Sequence, residues 1–263
     1  MNSGPKIFIF HSRYRHHAKG SGYDEFLTTL QIPYTRISIP FVVQIFLKII
    51  KTLPFLNWVY PKKFYYRADA LALELIATAL YYLPFKKVLH FIYGDSQFHY
   101  LGKLPRSPYT KVIVSLHMTK EALSDESISK EHLSGIDLIL TVSSDQEKWV
   151  RSHWNFSAVR TLLHGVHIPQ AFVPVKRNLH QFLFIGEHRR DFRSLIQTIE
   201  LAQKTGSQIN FILLTPIKYV RPITALSQVR VIEKTSHQEF LHLLDSSAGM
   251  ILPLNGATAN NSI

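Results

Sequence analysis

An α/β fold built on parallel sheets is predicted by three features of the sequence. Short, mostly apolar runs recur along it, among them KIFIF at Lys6–Phe10, VLHFI at Val88–Ile92 and KVIVS at Lys111–Ser115. Runs of that length and composition suit strands buried on both faces. Stretches of helical periodicity lie between them, and strands alternating with helices at this rhythm mean a parallel sheet covered on both sides. Finally, the alternation pauses at Pro169, Pro174 and the polar KRNLH that follows, then starts afresh. Two domains are therefore expected, 1–174 and 175–263.

At 263 residues, with 46% hydrophobic and 18% charged side chains, the chain has enough apolar material for a sizeable core. Without cysteine it forms no disulfide and uses no thiolate nucleophile, and an intracellular location is the simpler expectation. The apolar run in MNSGPKIFIFH is too short for a signal peptide, and no stretch has the roughly 18 uncharged apolar residues of a spanning helix. The net charge of +12 is segregated: residues 1–111 hold 15 Lys and Arg against 5 Asp and Glu, whereas 112–263 hold 15 against 13. A nucleic-acid binder charged throughout does not show that division. The first part of the chain is expected to face something acidic, with anionic lipid and nucleic acid as the leading candidates.

Taken in order, the strand KIFIF leads into a basic loop with Gly20 and Gly22, then a helix start at YDEFLTTL. The two glycines either let the backbone approach a ligand or simply make a turn. They form neither a dinucleotide fingerprint nor a P-loop, since Glu25 stands where the next glycine is needed and no Lys-Ser/Thr pair follows. Phe41 to Leu53 is a helix with Gln44, Lys48 and Lys51 on one face and apolar residues on the others, followed by Trp58, Tyr60, Lys62 and Lys63. Residues 41–63 read either as an interfacial element on an anionic membrane or as a core helix with a narrow solvated stripe. A longer helix, Phe64 to Tyr82, carries a polar stripe of Arg67, Glu74 and Thr78. The strand at Val88 opens into YGDSQFHYLG, and the strand at Lys111 delivers His117 to its end. Ligands of open parallel sheets collect beyond the carboxyl ends of strands, which places His117 and the Tyr93–Gln97 loop where chemistry is expected. Further strands follow at Asp137–Val142 and Val159–Leu163, with a capping box proposed at Ser144 and Glu147 between them. After the connector come strands at Phe182–Ile185, Ile209–Leu214, Val229–Ile232 and Gly249–Leu252, with a helix at His237–Asp245.

The turn after Ile185 is the most distinctive stretch. Gly186 breaks the strand, and Phe192, Leu195, Ile196 and Ile199 set the spacing of a helix with one buried face. His188, Arg189, Arg190 and Arg193 crowd the start of that helix. Cations there oppose the partial positive charge of the exposed N–H groups, each at a cost of about 0.3–1 kcal/mol. A bound phosphate would account for them; a solvated arginine cluster is the alternative.

VLHFIYGD, KVIVSLHM, DLILTVSSDQEKWV, LLHGVHIP, FLFIGEHRRDF and ILPLNGATANNSI, in that order, resemble segments of the family 4 glycosyltransferases. The resemblance covers nearly the whole chain. It implies a GT-B fold of two Rossmann-like domains, the first on the acceptor side and the second binding a nucleotide sugar. It also implies transfer of a sugar without metal or other cofactor, the nucleotide sugar acting as co-substrate, and usually with retention at the anomeric carbon. In agreement, the chain has no Asp-x-Asp pair and no His-Glu-x-x-His motif. Residue by residue, the resemblance implies that Gly20 and Gly22 approach the donor phosphates, that His117 faces the transferred sugar, and that Arg190, with Arg189 or Arg193, holds the diphosphate. The expected activity is therefore glycosyl transfer to a lipid-linked or polysaccharide acceptor. It would take place in the cytoplasm, with the enzyme peripheral at the inner face of a membrane and no nucleic-acid partner. The alternative is a non-catalytic nucleotide-sugar or anionic-surface binding protein of the same fold.

Two departures from the family pattern stand out. His167 occupies the place of a usual aspartate, and no paired-glutamate motif follows Asp245, the last acidic residue. Residues 175–263 amount to about 89, against the roughly 100–150 common for a domain. The second domain is therefore expected to be incomplete, the chain a truncated form of a longer one.

Overall fold

The computed structural model describes residues 4–12, 27, 30–51, 66, 68–120, 123, 130–163, 176–187 and 190–255. They fall into two compact units, one drawn from 1–167 and the other from 168–257. Each is a Rossmann-like α/β layer in which every strand pairing is parallel.

The first unit holds strands β1 (Lys6–Phe10), β2 (Thr35–Ile37), β3 (Lys87–Phe91), β4 (Thr110–Leu116), β5 (Leu138–Thr141) and β6 (Val159–Thr161), ordered β2-β1-β3-β4-β5-β6. Its helices are α1 (Phe41–Lys51), α2 (Ala70–Tyr81), the single turn α3 (Gly94–Gln97), the short α4 (Lys130–Leu133) and α5 (Ser144–His153). The central strands are buried on both faces: Phe10, Leu89, Phe91, Val112, Val114 and Ile139 fill the core on one face, and Ile9, His90 and Ser115 are buried on the other. In the register that pairs Phe10 with Phe91, the two rings stack 4.7 Å apart.

The second unit holds β7 (Asn178–Ile185), β8 (Asn210–Leu214), β9 (Val229–Ile232) and β10 (Ser247–Met250), ordered β10-β7-β8-β9, with α6 (Phe192–Lys204) and α7 (His237–Ser246). From the predicted apolar face of α6, Leu195 and Ile199 pack fully against Phe184, Phe211 and Leu213. Each such burial contributes roughly 1.5–3 kcal/mol. Ser236 and Glu239 close a reciprocal capping box at the start of α7.

In both sheets the chain reverses its direction of travel once, between β1 and β3 in the first and between β7 and β10 in the second. Crevices beyond the carboxyl ends of strands at such reversals are where open α/β sheets bind ligands.

Three local expectations change. Helix α5 is capped by Ser143, whose hydroxyl accepts from Gln146 N, while Gln146 reaches back to Val142 N. The proposed Ser144–Glu147 box is therefore not formed, and Glu147 instead binds Arg151 and Thr161. Glu74 does not belong to a solvated stripe: it is buried, and Leu75 and Ile76 take the exposed positions beside it. Finally, no residue of α1 is buried, so α1 is not a core helix.

Candidate functional site

At the carboxyl edge of the first sheet, β1 runs into His11 and Ser12, both buried. The Ser12 hydroxyl donates to the Asp69 carboxylate, and the Arg36 Nε–H donates to His11 Nε2. One strand over, β3 runs through Ile92 and Tyr93 into α3. Gly94 opens that turn because nothing larger fits: a Cβ there would lie 2.0 Å from Val114 Cγ1 and 3.0 Å from Ser115 O. The turn thus lies hard against β4, and it carries Asp95 to the end of that strand.

Asp95 is buried, and its Oδ2 accepts from the backbone N–H of His117 at 2.7 Å and of Met118 at 2.8 Å. Burial raises its pKa to about 6, against the pull of those hydrogen bonds in the opposite direction. The His117 ring meets Ile92 O through Nε2 at 2.6 Å. A carbonyl oxygen only accepts, so the proton sits on Nε2 and Nδ1 is left as the acceptor nitrogen of the ring. Tyr93 lies beside it, ring centroids 5.5 Å apart. His90, by contrast, is a core residue: its Nε2 meets Ser115 Oγ at 2.8 Å, and burial lowers its pKa to about 4. The Gln97 amide is fully buried, and neither its nitrogen nor its oxygen has a hydrogen-bond partner among the described residues. Buried polar groups in that state are ordinarily satisfied by water or ligand.

Behind this edge, Glu74 Oε1 gathers the N–H groups of His99, Tyr100 and Leu101 at 2.7–2.9 Å, and Oε2 accepts from the Tyr66 hydroxyl at 2.5 Å. The segment that follows α3 is thereby tied to α2.

In the second unit the edge between β7 and β10 is built around Gly186, which adopts φ +92° and donates its N–H to Leu214 O at 3.0 Å. Only glycine takes that backbone conformation without strain. Arg190 folds back over it: its Nε–H donates to Ile185 O at 2.9 Å, and a Cβ on Gly186 would sit 3.4 Å from both Nε and Nη2. Arg190 also forms an antiparallel bridge with Leu254, and Asp191 N donates to Pro253 O at 3.0 Å. The turn after β7 is thus held to the segment after β10. Partial burial lowers the Arg190 pKa, and among the described residues the rest of its guanidinium carries no hydrogen bond. Thr215, next to Leu214, has a buried hydroxyl with no partner among the described residues.

Asp191 caps α6. Its Oδ1 accepts from Ser194 N at 3.0 Å and its Oδ2 from Ser194 Oγ at 2.7 Å, and these bonds hold its pKa below the usual carboxylate value. The helix N-terminus, expected from the sequence to await an anion, has one of its N–H groups already served by this carboxylate. Arg193 is exposed on the first turn of α6.

Of the residues expected to form the site, His117, Arg190 and Arg193 are placed as above, and Gly20, Gly22 and Arg189 lie outside the described residues, as do His167 and His188. His11, Ser12 and Asp69 were not singled out from the sequence, and Asp95 was marked only as part of the Tyr93–Gln97 loop. His11 and Ser12 directly follow a strand, so the rule of strand carboxyl ends could have found them. Asp69 had no such signal. Among the described residues no cluster of three or more His, Cys, Asp or Glu could hold a metal ion.

No family model and no curated protein matches the chain. Solved structures do resemble it. A glycosyltransferase from Rickettsia africae ESF-5 superimposes with a TM-score of 0.57 at 12% identity, over 97% of this chain and 74% of its own. The N-terminal domain of Candida albicans trehalose-6-phosphate phosphatase gives 0.54 at 11% identity, over 98% and 79%. An α-glucosyltransferase in complex with UDP-glucose and DNA containing an abasic site gives 0.47 at 13% identity, over 92% and 71%. At these identities the first two likenesses show the fold alone: two Rossmann-like parallel-sheet units of the GT-B class.

Proposed function

We propose that the chain is a nucleotide-sugar-dependent glycosyltransferase of the family 4 type, acting without a metal on a lipid-linked or polysaccharide acceptor and with retention at the anomeric carbon. The observation that carries this reading is Arg190 folded over Gly186 at the β7/β10 reversal, a cation held at the edge where such a sheet takes its ligand. Glycosyl transfer breaks the bond between the anomeric carbon and the diphosphate oxygen, and the diphosphate leaves with the electron pair. The acceptor hydroxyl oxygen forms the new bond, and its proton passes to the departing diphosphate. Charge builds on the diphosphate as it leaves, and a preorganised guanidinium stabilises it. In the first unit, His117 is the residue that the resemblance assigns to the transferred sugar, and its ring is held by the Nε2–H donated to Ile92 O.

A second reading, a nucleotide-sugar binding protein that has lost the chemistry, is favoured by Asp191, whose carboxylate occupies part of the anion-binding end of α6. Incubation with a panel of UDP-, GDP- and ADP-sugars separates the two. Release of nucleoside diphosphate that depends on an added acceptor supports transfer; binding without turnover of any sugar supports the second reading.

A further inference from the structure

Helix α1 is attached to the first unit by its polar side. Gln44 Nε2 donates to Ile39 O at 2.7 Å, Lys51 Nζ donates to Tyr66 O at 2.6 Å, and Leu47, between them on the same face, packs against the core. The opposite face carries Val42, Ile45, Phe46 and Ile49, which are 77%, 45%, 60% and 61% exposed. Single exposed apolar residues are ordinary, but these four follow i, i+3, i+4, i+7 spacing and form one continuous stripe. A helix that turns polar groups inward and apolar groups outward is matched to an outer medium other than water.

We propose that this stripe seats in the headgroup and upper acyl region of an anionic lipid surface. Eleven residues span about 16 Å as a helix, too short to cross a bilayer and suited to lying flat on one. No described helix is long and apolar enough to cross a membrane. Charge decides the occupant. Lys48 is exposed on the helix, and residues 1–111 hold 15 Lys and Arg against 5 Asp and Glu. Two copies meeting through so basic a region would repel, whereas anionic headgroups attract it. Docking of this kind needs no sugar donor, so it stands or falls apart from the proposed transfer reaction.

The full chain is sedimented with vesicles of phosphatidylglycerol mixed with phosphatidylcholine, and with vesicles of phosphatidylcholine alone. Binding to the mixed vesicles is expected to be the stronger and to weaken as salt is raised. Lys48→Glu should weaken it by about fivefold or more, the equivalent of ~1 kcal/mol per basic residue near such a surface. Val42→Glu/Phe46→Glu should weaken it by about tenfold or more, since each removes an apolar side chain from its buried site. Both positions are exposed, so circular dichroism and melting should match the parent. No sedimentation of the parent, or equal sedimentation of a folded Val42→Glu/Phe46→Glu protein, overturns the proposal. So does a dimer in analytical ultracentrifugation that the same double substitution dissolves while vesicle binding persists.

Discussion

Asp95 Oδ2 accepts hydrogen bonds from two successive backbone N–H groups, those of His117 and Met118, at 2.7 and 2.8 Å. The carboxylate therefore fixes the peptide that carries His117 rather than its ring, and the ring is fixed separately by Ile92 O. Both anchors lie in the β3–α3 turn, so the end of β4 is set by the end of β3. The cost is a carboxyl group in a buried site, which raises its pKa to about 6.

That cost is measurable as pH-dependent stability. With its folded pKa above the ordinary 3.8, native Asp95 holds its proton at pH values where the unfolded chain has lost it. Its contribution is thus fully present below about pH 4, declines as pH rises to about 6, and is lower by about 3 kcal/mol above that. Asp95→Asn does not titrate. The difference in urea unfolding free energy between parent and variant should change by that order between pH 4 and pH 7, in favour of the variant at the higher pH. A constant difference across the range would contradict the burial argument.

Arg190→Ala should weaken nucleoside-diphosphate binding by roughly 1.5–3 kcal/mol, the usual worth of a charge-assisted hydrogen bond. Asp191→Asn should act in the opposite direction if the diphosphate reaches the start of α6, because it removes the carboxylate now bound to Ser194 N. Calorimetry with UDP, GDP and ADP measures both. Equal affinities in the parent and a folded Arg190→Ala protein would remove the diphosphate from this turn.

How far the sequence predicted these features depended on which physical signal each residue carried. A strand run such as Phe182–Ile185 was legible because a strand buried on both faces must be apolar throughout. β2 was not, since TRI at the sheet edge is only three residues long and needs no such run. Glu74 was misread because polarity along a helix normally marks the solvent side, and its buried partners lie 25 to 27 residues away in the chain. α1 was ambiguous for the same reason: alternating polar and apolar faces do not say which one turns inward. At the candidate site, His117 was singled out from its place after a strand and Arg190 from the cationic start of a helix, while the Asp95 bonds that position His117 span 22 and 23 residues and leave no local pattern.

Gly94→Ala should destabilise the first unit by roughly 1–3 kcal/mol, the range for overpacking a closely fitted core. The new methyl would meet Val114 Cγ1 at 2.0 Å and Ser115 O at 3.0 Å. The Val114 contact can be relieved and the backbone contact cannot. Adding Val114→Ala to Gly94→Ala should therefore cost less than the sum of the two single changes, and a double-mutant cycle measures that coupling. Strict additivity would mean the turn does not lie against β4 as described.

Glu74 should be the most costly of these positions to truncate. Glu74→Ala leaves the N–H groups of His99, Tyr100 and Leu101 without their acceptor, and the Tyr66 hydroxyl as well. At about 1–3 kcal/mol for each buried group left unsatisfied, the loss should reach ~3 kcal/mol or more. Glu74→Gln keeps an acceptor oxygen for the three N–H groups, and its amide can donate to the Tyr66 oxygen, so about 1–2 kcal/mol is expected. The two side chains should also differ with pH. Burial raises the pKa of Glu74 above its ordinary 4.5, so the native state keeps the proton longer than the unfolded chain does. The contribution of Glu74 is therefore greatest in acid and falls as pH climbs past the ordinary carboxylate range. The gap between parent and Glu74→Gln should be widest near pH 4 and narrower near pH 8, as read by urea unfolding at both. A gap that widens with pH would show that the ionised carboxylate is the favoured form, and that its four hydrogen bonds outweigh its burial.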